Sequence, residues 1–133
     1  MLGCIVFAPT VKAMSALNLS LNNHLFYLEV PQSRKEYNQG LMYRHDLPPR
    51  HGMIFLFNSQ IKSQPTMWMK NTYIPLDMLF IGTDYKITCI LKQTKPLSLE
   101  LLSCNAPVIA VIELNAGDVD RFHLEKGMEL KGN

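Results

Sequence analysis

Charge is scarce in this chain. Only 18% of its 133 residues are Asp, Glu, Lys or Arg, and the formal net charge is +2. A nucleic-acid binder needs a clustered basic face. The nearest approaches here, KQTK at 92–95 and RK at 34–35, read as solvated stretches, so no nucleic-acid partner is expected. Long apolar runs are missing too: none reaches the ~20 residues that span a bilayer, so no transmembrane segment is expected. Disorder is equally excluded. The apolar fraction is 47%, and 15.2 kDa suffices for a single core.

Cysteine is sparse. Cys4, Cys89 and Cys104 match no zinc spacing. Cys89 lies in the apolar run KITCIL and reads as a buried free thiol. A Cys89–Cys104 disulfide is the alternative for an exported protein. His24, His45, His51 and His123 form no pair at metal-ligand spacing, and no glycine loop is built to cradle phosphate. Met67-x-Met69, with Met42 and Met53, reads as core filler in preference to a cuprous copper site. Neither a metal nor another cofactor is expected.

The amino end carries one charge, Lys12, in its first 23 residues. Leu2 to Pro9 is apolar, and Val11-Lys12-Ala13 fits a small-residue cleavage rule, although no basic region precedes it. Residues 1–23 therefore read as an export-signal remnant or tail, with an apolar first strand as the alternative. Residues 24–133 read as one β domain.

Within that domain, HLFYLEV at 24–30 predicts a strand ended by Pro31. Ser33-Arg-Lys-Glu36 fits a capping box and Gly40 a left-handed stop, so a short helix is expected at 34–39. Strands are expected at 53–57, 66–70 and 76–81, then 85–91 as a hairpin partner across Gly82-Thr83-Asp84, and 107–115. Residues 92–106 read as a loop. Asp118 is placed to cap one helical turn, and a last short strand is expected at 128–131. The fold class is all-β with minor α: a jelly-roll-like antiparallel sandwich or barrel with one or two short helices.

The polar residues inside TMWMKNTYIPLDMLF, at 66–80, carry the functional reading. Strand alternation puts Asp77 on one face with Leu79 and Ile81. A carboxylate there costs several kcal/mol in desolvation unless a cation or a set of donors meets it. Lys70 and Arg44 are the local cations. With Trp68 and Asn71 they form a candidate pocket lining suited to a sugar or another small polar molecule. The alternative is structural, with Asp77 in a buried ion pair or accepting backbone amides freed around Pro75. An acid–base pair of Asp77 and Glu113 is conceivable, with Glu113 read as facing solvent.

A family resemblance rests on GLMYR at 40–44, Leu47-Pro48, GMIF at 52–55, WMKNT at 68–72, IPLD at 74–77, LFI at 79–81 and ELNAG at 113–117. From about residue 25 to 131 the chain resembles the prokaryotic domain-of-unknown-function family one hundred and ninety-two. That resemblance implies a small jelly-roll-like β domain, often with an export signal or lipid anchor, and supplies no catalytic residue. Arg44, Trp68, Lys70, Asn71 and Asp77 fall on motif positions. Binding of a small polar or carbohydrate-like ligand outside the cytoplasm, in the periplasm by preference, is the expected function. A small hydrolase or lyase using Asp77 with Lys70 or Arg44, and a structural or interaction domain, are its rivals. No oligomeric state can be read from the sequence.

Overall fold

Apolar runs rich in branched and aromatic side chains become the strands, and their two-sided apolar character decides how the layers stack. In the computed structural model, residue 3, residues 14–57 and residues 64–133 are described. Apart from Gly3, the apolar run at 2–9, together with the cleavage-like residues 11–13 and Cys4, lies outside them.

Strands β1 (Ser15–Leu21) and β2 (His24–Val30) form a hairpin. Its turn residues, Asn22 and Asn23, both take positive φ, as a tight two-residue connection requires. The part of segment 1–23 that begins at Ser15 is thus a paired strand and not a tail. Helix α1 (Arg34–Gln39) follows, with Ser33 Oγ accepting from the Glu36 amide at 3.1 Å. The Glu36 carboxylate reaches past the cap to accept from the Gln32 amide at 2.8 Å. Next come β3 (His51–Leu56), β4 (Leu76–Gly82), β5 (Ile87–Leu91), β6 (Val108–Asn115), the one-turn helix α2 (Asp118–Arg121) and β7 (Lys131–Gly132).

Seven strands join in one curled sheet, a half-barrel in the order β5-β4-β6-β3-β2-β1-β7. The all-β class with minor helix is the one expected. All neighbouring strands run antiparallel except β2 and β3, which pair in parallel. A parallel pair needs a long crossover, and residues 31–50, including α1, supply it.

Both faces of the sheet are covered. One face holds Leu28, Ile54, Leu79, Ile81, Ile112 and Leu114, capped by Val119 and Leu124 from the α2 region. The other holds Met53, Phe55, Met78, Phe80 and Val111, covered by Leu41, Leu47 and Met69. The central strands leave little room: a Cβ on Gly52 would stand 2.2 Å from the Glu113 carbonyl oxygen, so only glycine lets β3 and β6 approach there.

The strand expected at 66–70 is absent. That stretch crosses the second face and makes one bridge, Met67 with Leu102, through two hydrogen bonds of 2.7 Å. The chain then turns at Asn71, whose φ is 52°. Alternation survives without the strand: Met67 and Met69 pack inward, whereas Trp68 and Lys70 point out.

The free thiol expected at Cys89 is also corrected. Cys89 in β5 and Cys104 in the 92–106 loop form a disulfide, with Cα atoms 6.4 Å apart. It fastens the loop that pairs with Met67 to the sheet edge. Removing a crosslink across a sequence separation of 15 residues should lower stability by about 3 kcal/mol. Thermal melts of the wild type with and without reductant, and of a Cys89→Ala/Cys104→Ala double variant, check this. Equal melting temperatures in all three would refute it.

Candidate functional site

Five residues were expected to converge, and the sheet separates them. Asp77 lies on the α2 face of β4 and is 1% exposed. Its Oδ1 accepts from the Gln93 amide at 2.9 Å, and its Oδ2 from the Gly117 and Val119 amides at 3.0 Å each. No cation pairs with it among the described residues. Donors satisfy it instead, and they come from the α2 turn and residue 93, not from around Pro75. Asp77 thereby caps α2 from a neighbouring strand. Asp118, the expected cap, is the first residue of that helix and makes no capping bond. Burial raises the Asp118 carboxyl pKa, against the lowering effect of Arg121 at 3.4 Å and with a further rise from nearby Asp77. Sealed and saturated, Asp77 cannot reach a substrate as a general base.

Arg44 forms a two-pronged ion pair with Glu29 of β2, its second bond being 3.0 Å long. It clamps the crossover to the sheet. Lys70 stands over the Trp68 ring with Nζ 5.0 Å from the centroid. Asn71 donates to the Tyr43 hydroxyl at 3.0 Å, and its carbonyl accepts from the Tyr43 amide at 2.9 Å. Thus Trp68, Lys70 and Asn71 share one exposed stretch, Arg44 lies in the crossover it contacts, and Asp77 is on the far side of the sheet.

Trp68 does border a cavity. About 360 Å³ opens between α1, the turn after it, the 66–72 stretch and the second face of the sheet. Tyr37 and Phe55 meet edge to face there at 5.4 Å, with Leu101 at the rim, and Arg44, Lys70, Asn71 and Asp77 do not line it. Among the described residues, the one ionisable carboxyl in its wall is Glu113 of β6. Register explains its position. Glu113 stands opposite Met53 on one side and Met78 on the other, and all three project to the second face. Asp77 pairs with Leu114 and projects to the first face. An Asp77–Glu113 acid–base pair is therefore impossible across the sheet.

Glu113 is 4% exposed, and no hydrogen bond or ion pair reaches its side chain among the described residues. Burial pushes its pKa up to about 8, so it holds a proton at neutral pH. Its assignment to solvent is corrected, and the sequence carried the signal. PVIAVIELN is apolar at successive positions, the mark of a strand buried on both faces. Tyr37, Phe55 and Leu101 had no local signal, because crossover and loop bring them to the cavity. Among the described residues, no three of His, Cys, Asp and Glu converge to hold a metal, and no helix is long and apolar enough to cross a membrane.

The model of the DUF192 family, described as Uncharacterized ACR, matches residues 17–132. The chain belongs to this family. A solved structure from Sinorhizobium meliloti 1021, described provisionally as a transcription regulator, is 37% identical with a TM-score of 0.84, covering 92% of this chain and 97% of its own. A protein of unknown function from Novosphingobium aromaticivorans DSM 12444 is 30% identical with a TM-score of 0.83, covering 95% of this chain and 91% of its own. No curated protein matches.

Two outcomes separate the carboxylates. Asp77→Asn leaves one acceptor oxygen and turns an NH2 group toward amide donors. It should cost about 3 kcal/mol and speed hydrogen exchange at the Gly117 and Val119 amides; unchanged exchange there would contradict the capping role. For Glu113, both folded and unfolded states are protonated below pH 4.5, so the group contributes nothing there. Between pH 4.5 and about 8 the unfolded chain releases a proton that the folded chain keeps, so folding weakens as pH rises. Glu113→Gln should therefore melt several degrees above wild type at pH 8 and close to it at pH 4. A pH-independent difference would refute the buried, protonated assignment.

Proposed function

We propose that this chain is a small-ligand binding module that works outside the cytoplasm. It holds a small polar or carbohydrate-like molecule in the cavity beside Trp68. One observation carries the reading: a buried carboxyl, Glu113, faces a cavity with aromatic walls and has no partner among the described residues. Asp77 gathers three amide donors, and buried Asp118, whose Oδ2 has no partner among the described residues, keeps Arg121 on its Oδ1. Left without donors beside an opening, Glu113 offers a hydrogen-bonding group to whatever enters. The volume, about 360 Å³, suits a molecule of monosaccharide size. The extracytoplasmic part of the reading is supported by the Cys89–Cys104 disulfide, since such bonds persist in oxidising compartments.

Of the five residues expected to bind, Trp68 keeps that role, and Glu113 takes the place given to Asp77. Trp68 is also the chain's only tryptophan, so all tryptophan emission comes from the edge of the cavity. Titration with a panel of neutral and amino sugars, polyols and small amines should shift that emission for at least one compound. The same compound should raise the melting temperature, with about 2.7 kcal/mol of stabilisation at a hundredfold excess over Kd. Trp68→Ala should weaken the binding, read from the melting shift. Failure of every compound on both readouts would defeat the proposal.

A further inference from the structure

We infer that the ligand of the Trp68 cavity carries a positive charge: an amine or quaternary ammonium group seated against the Glu113 carboxylate, with its carbon framework on Tyr37, Phe55 and Trp68. The inference deepens the binding-module reading and rests on it.

The wall chemistry is one-sided. Among the described residues, Glu113 is its one ionisable carboxyl, and no Lys, Arg or His lines it, so an anionic ligand would meet no counter-charge from them. Three aromatic rings border the same space, and ring faces attract cations. Trp68 already illustrates this, with an ammonium group, that of Lys70, 5.0 Å from its ring centroid. Among the described residues, the groups around Glu113 add no competing charge. From β3 and β4 its register partners are Met53 and Met78, with polarisable thioethers. From α1 comes Tyr37, the one other titratable side chain of the wall among the described residues, whose phenol burial holds above its usual pKa and therefore neutral. The 66–72 stretch presents Thr66, Met67, Trp68 and Thr72. A cation is the one kind of guest that would turn an unpaired buried carboxyl into a paired one.

The proton balance follows. The empty site holds Glu113 as the neutral acid, and binding of a permanent cation drives its ionisation. The proton leaves to solvent, and the guest's charge replaces it. Affinity should then rise about tenfold per pH unit up to about pH 8 and level off above it.

The test titrates the intact chain with choline against its neutral carbon isostere, butylammonium against butanol, and glucose as a neutral polar probe. Trp68 emission is read from about pH 6 to 9. At least one cation should bind ten or more times tighter than its neutral counterpart, with the pH dependence above. Glu113→Gln, first verified as folded by its melt, should abolish both the preference and the pH dependence. Equal affinity within each pair, a flat pH profile, or a cation preference that survives Glu113→Gln would each overturn the charge assignment. Should glucose or a neutral isostere bind while the cations do not, the charge inference fails and the binding module stands. If no probe moves the emission at any pH, the charge inference fails, and the reading beneath it fails too if the wider panel also leaves emission and melting temperature unchanged.

Discussion

Cover on both faces of the sheet is the constraint from which the rest follows. With α2 and the carboxy-terminal segment on one side and the crossover with two loops on the other, β4 and β6 have no solvent face at their centres. A polar side chain there must be given donors, be given a counter-charge, or open on a cavity, because desolvation without compensation costs several kcal/mol. Asp77 and Glu113 occupy almost the same level of the sheet and meet the constraint in different ways. Asp77 takes three backbone amides and becomes part of the frame. Glu113 stays protonated beside a cavity.

The cavity owes its walls to segments that the sheet alone would not order. Residues 31–50 and 64–75 cross the second face, and each is tied down by polar contacts. Arg44 grips Glu29, Asn71 bonds Tyr43 through both side chain and backbone, and the bridge between Met67 and Leu102 joins the 66–72 stretch to the loop held by the disulfide. Arg44 and Asn71, first candidates for ligand contacts, are not among the residues that line the cavity. They hold the segments that carry Trp68 and Tyr37. Surface ion pairs contribute little stability alone, but a two-pronged arginine fixes geometry as well as energy.

Much of the fold was legible in local patterns: the Ser33 capping box, the strand starting at His24, the hairpin after Gly82, and the strand from Val108 to Asn115. Strand 66–70 was misread because Met-Trp-Met alternation looks the same in a strand and in a segment crossing a face with one side buried. The face assigned to Asp77 was right, and so was its need for compensation. The partner was wrong, because the amides of Gln93, Gly117 and Val119 lie 16, 40 and 42 positions away. Glu113 was within reach of sequence reasoning. An unbroken apolar strand buries both faces, and that burial includes its one acid.

The contrast between the two acids also separates a carboxyl that the backbone requires from one that it does not. A residue that accepts backbone amides depends only on where the chain goes, so any relative that keeps the α2 turn against β4 needs an acceptor at the position of Asp77. Glu113 has no such obligation to the backbone. Its register neighbours are thioethers that would pack equally well on an uncharged side chain of similar size, and an apolar replacement would remove a buried polar group at no structural loss. The backbone does not require a carboxyl at this position, and the one present faces the cavity.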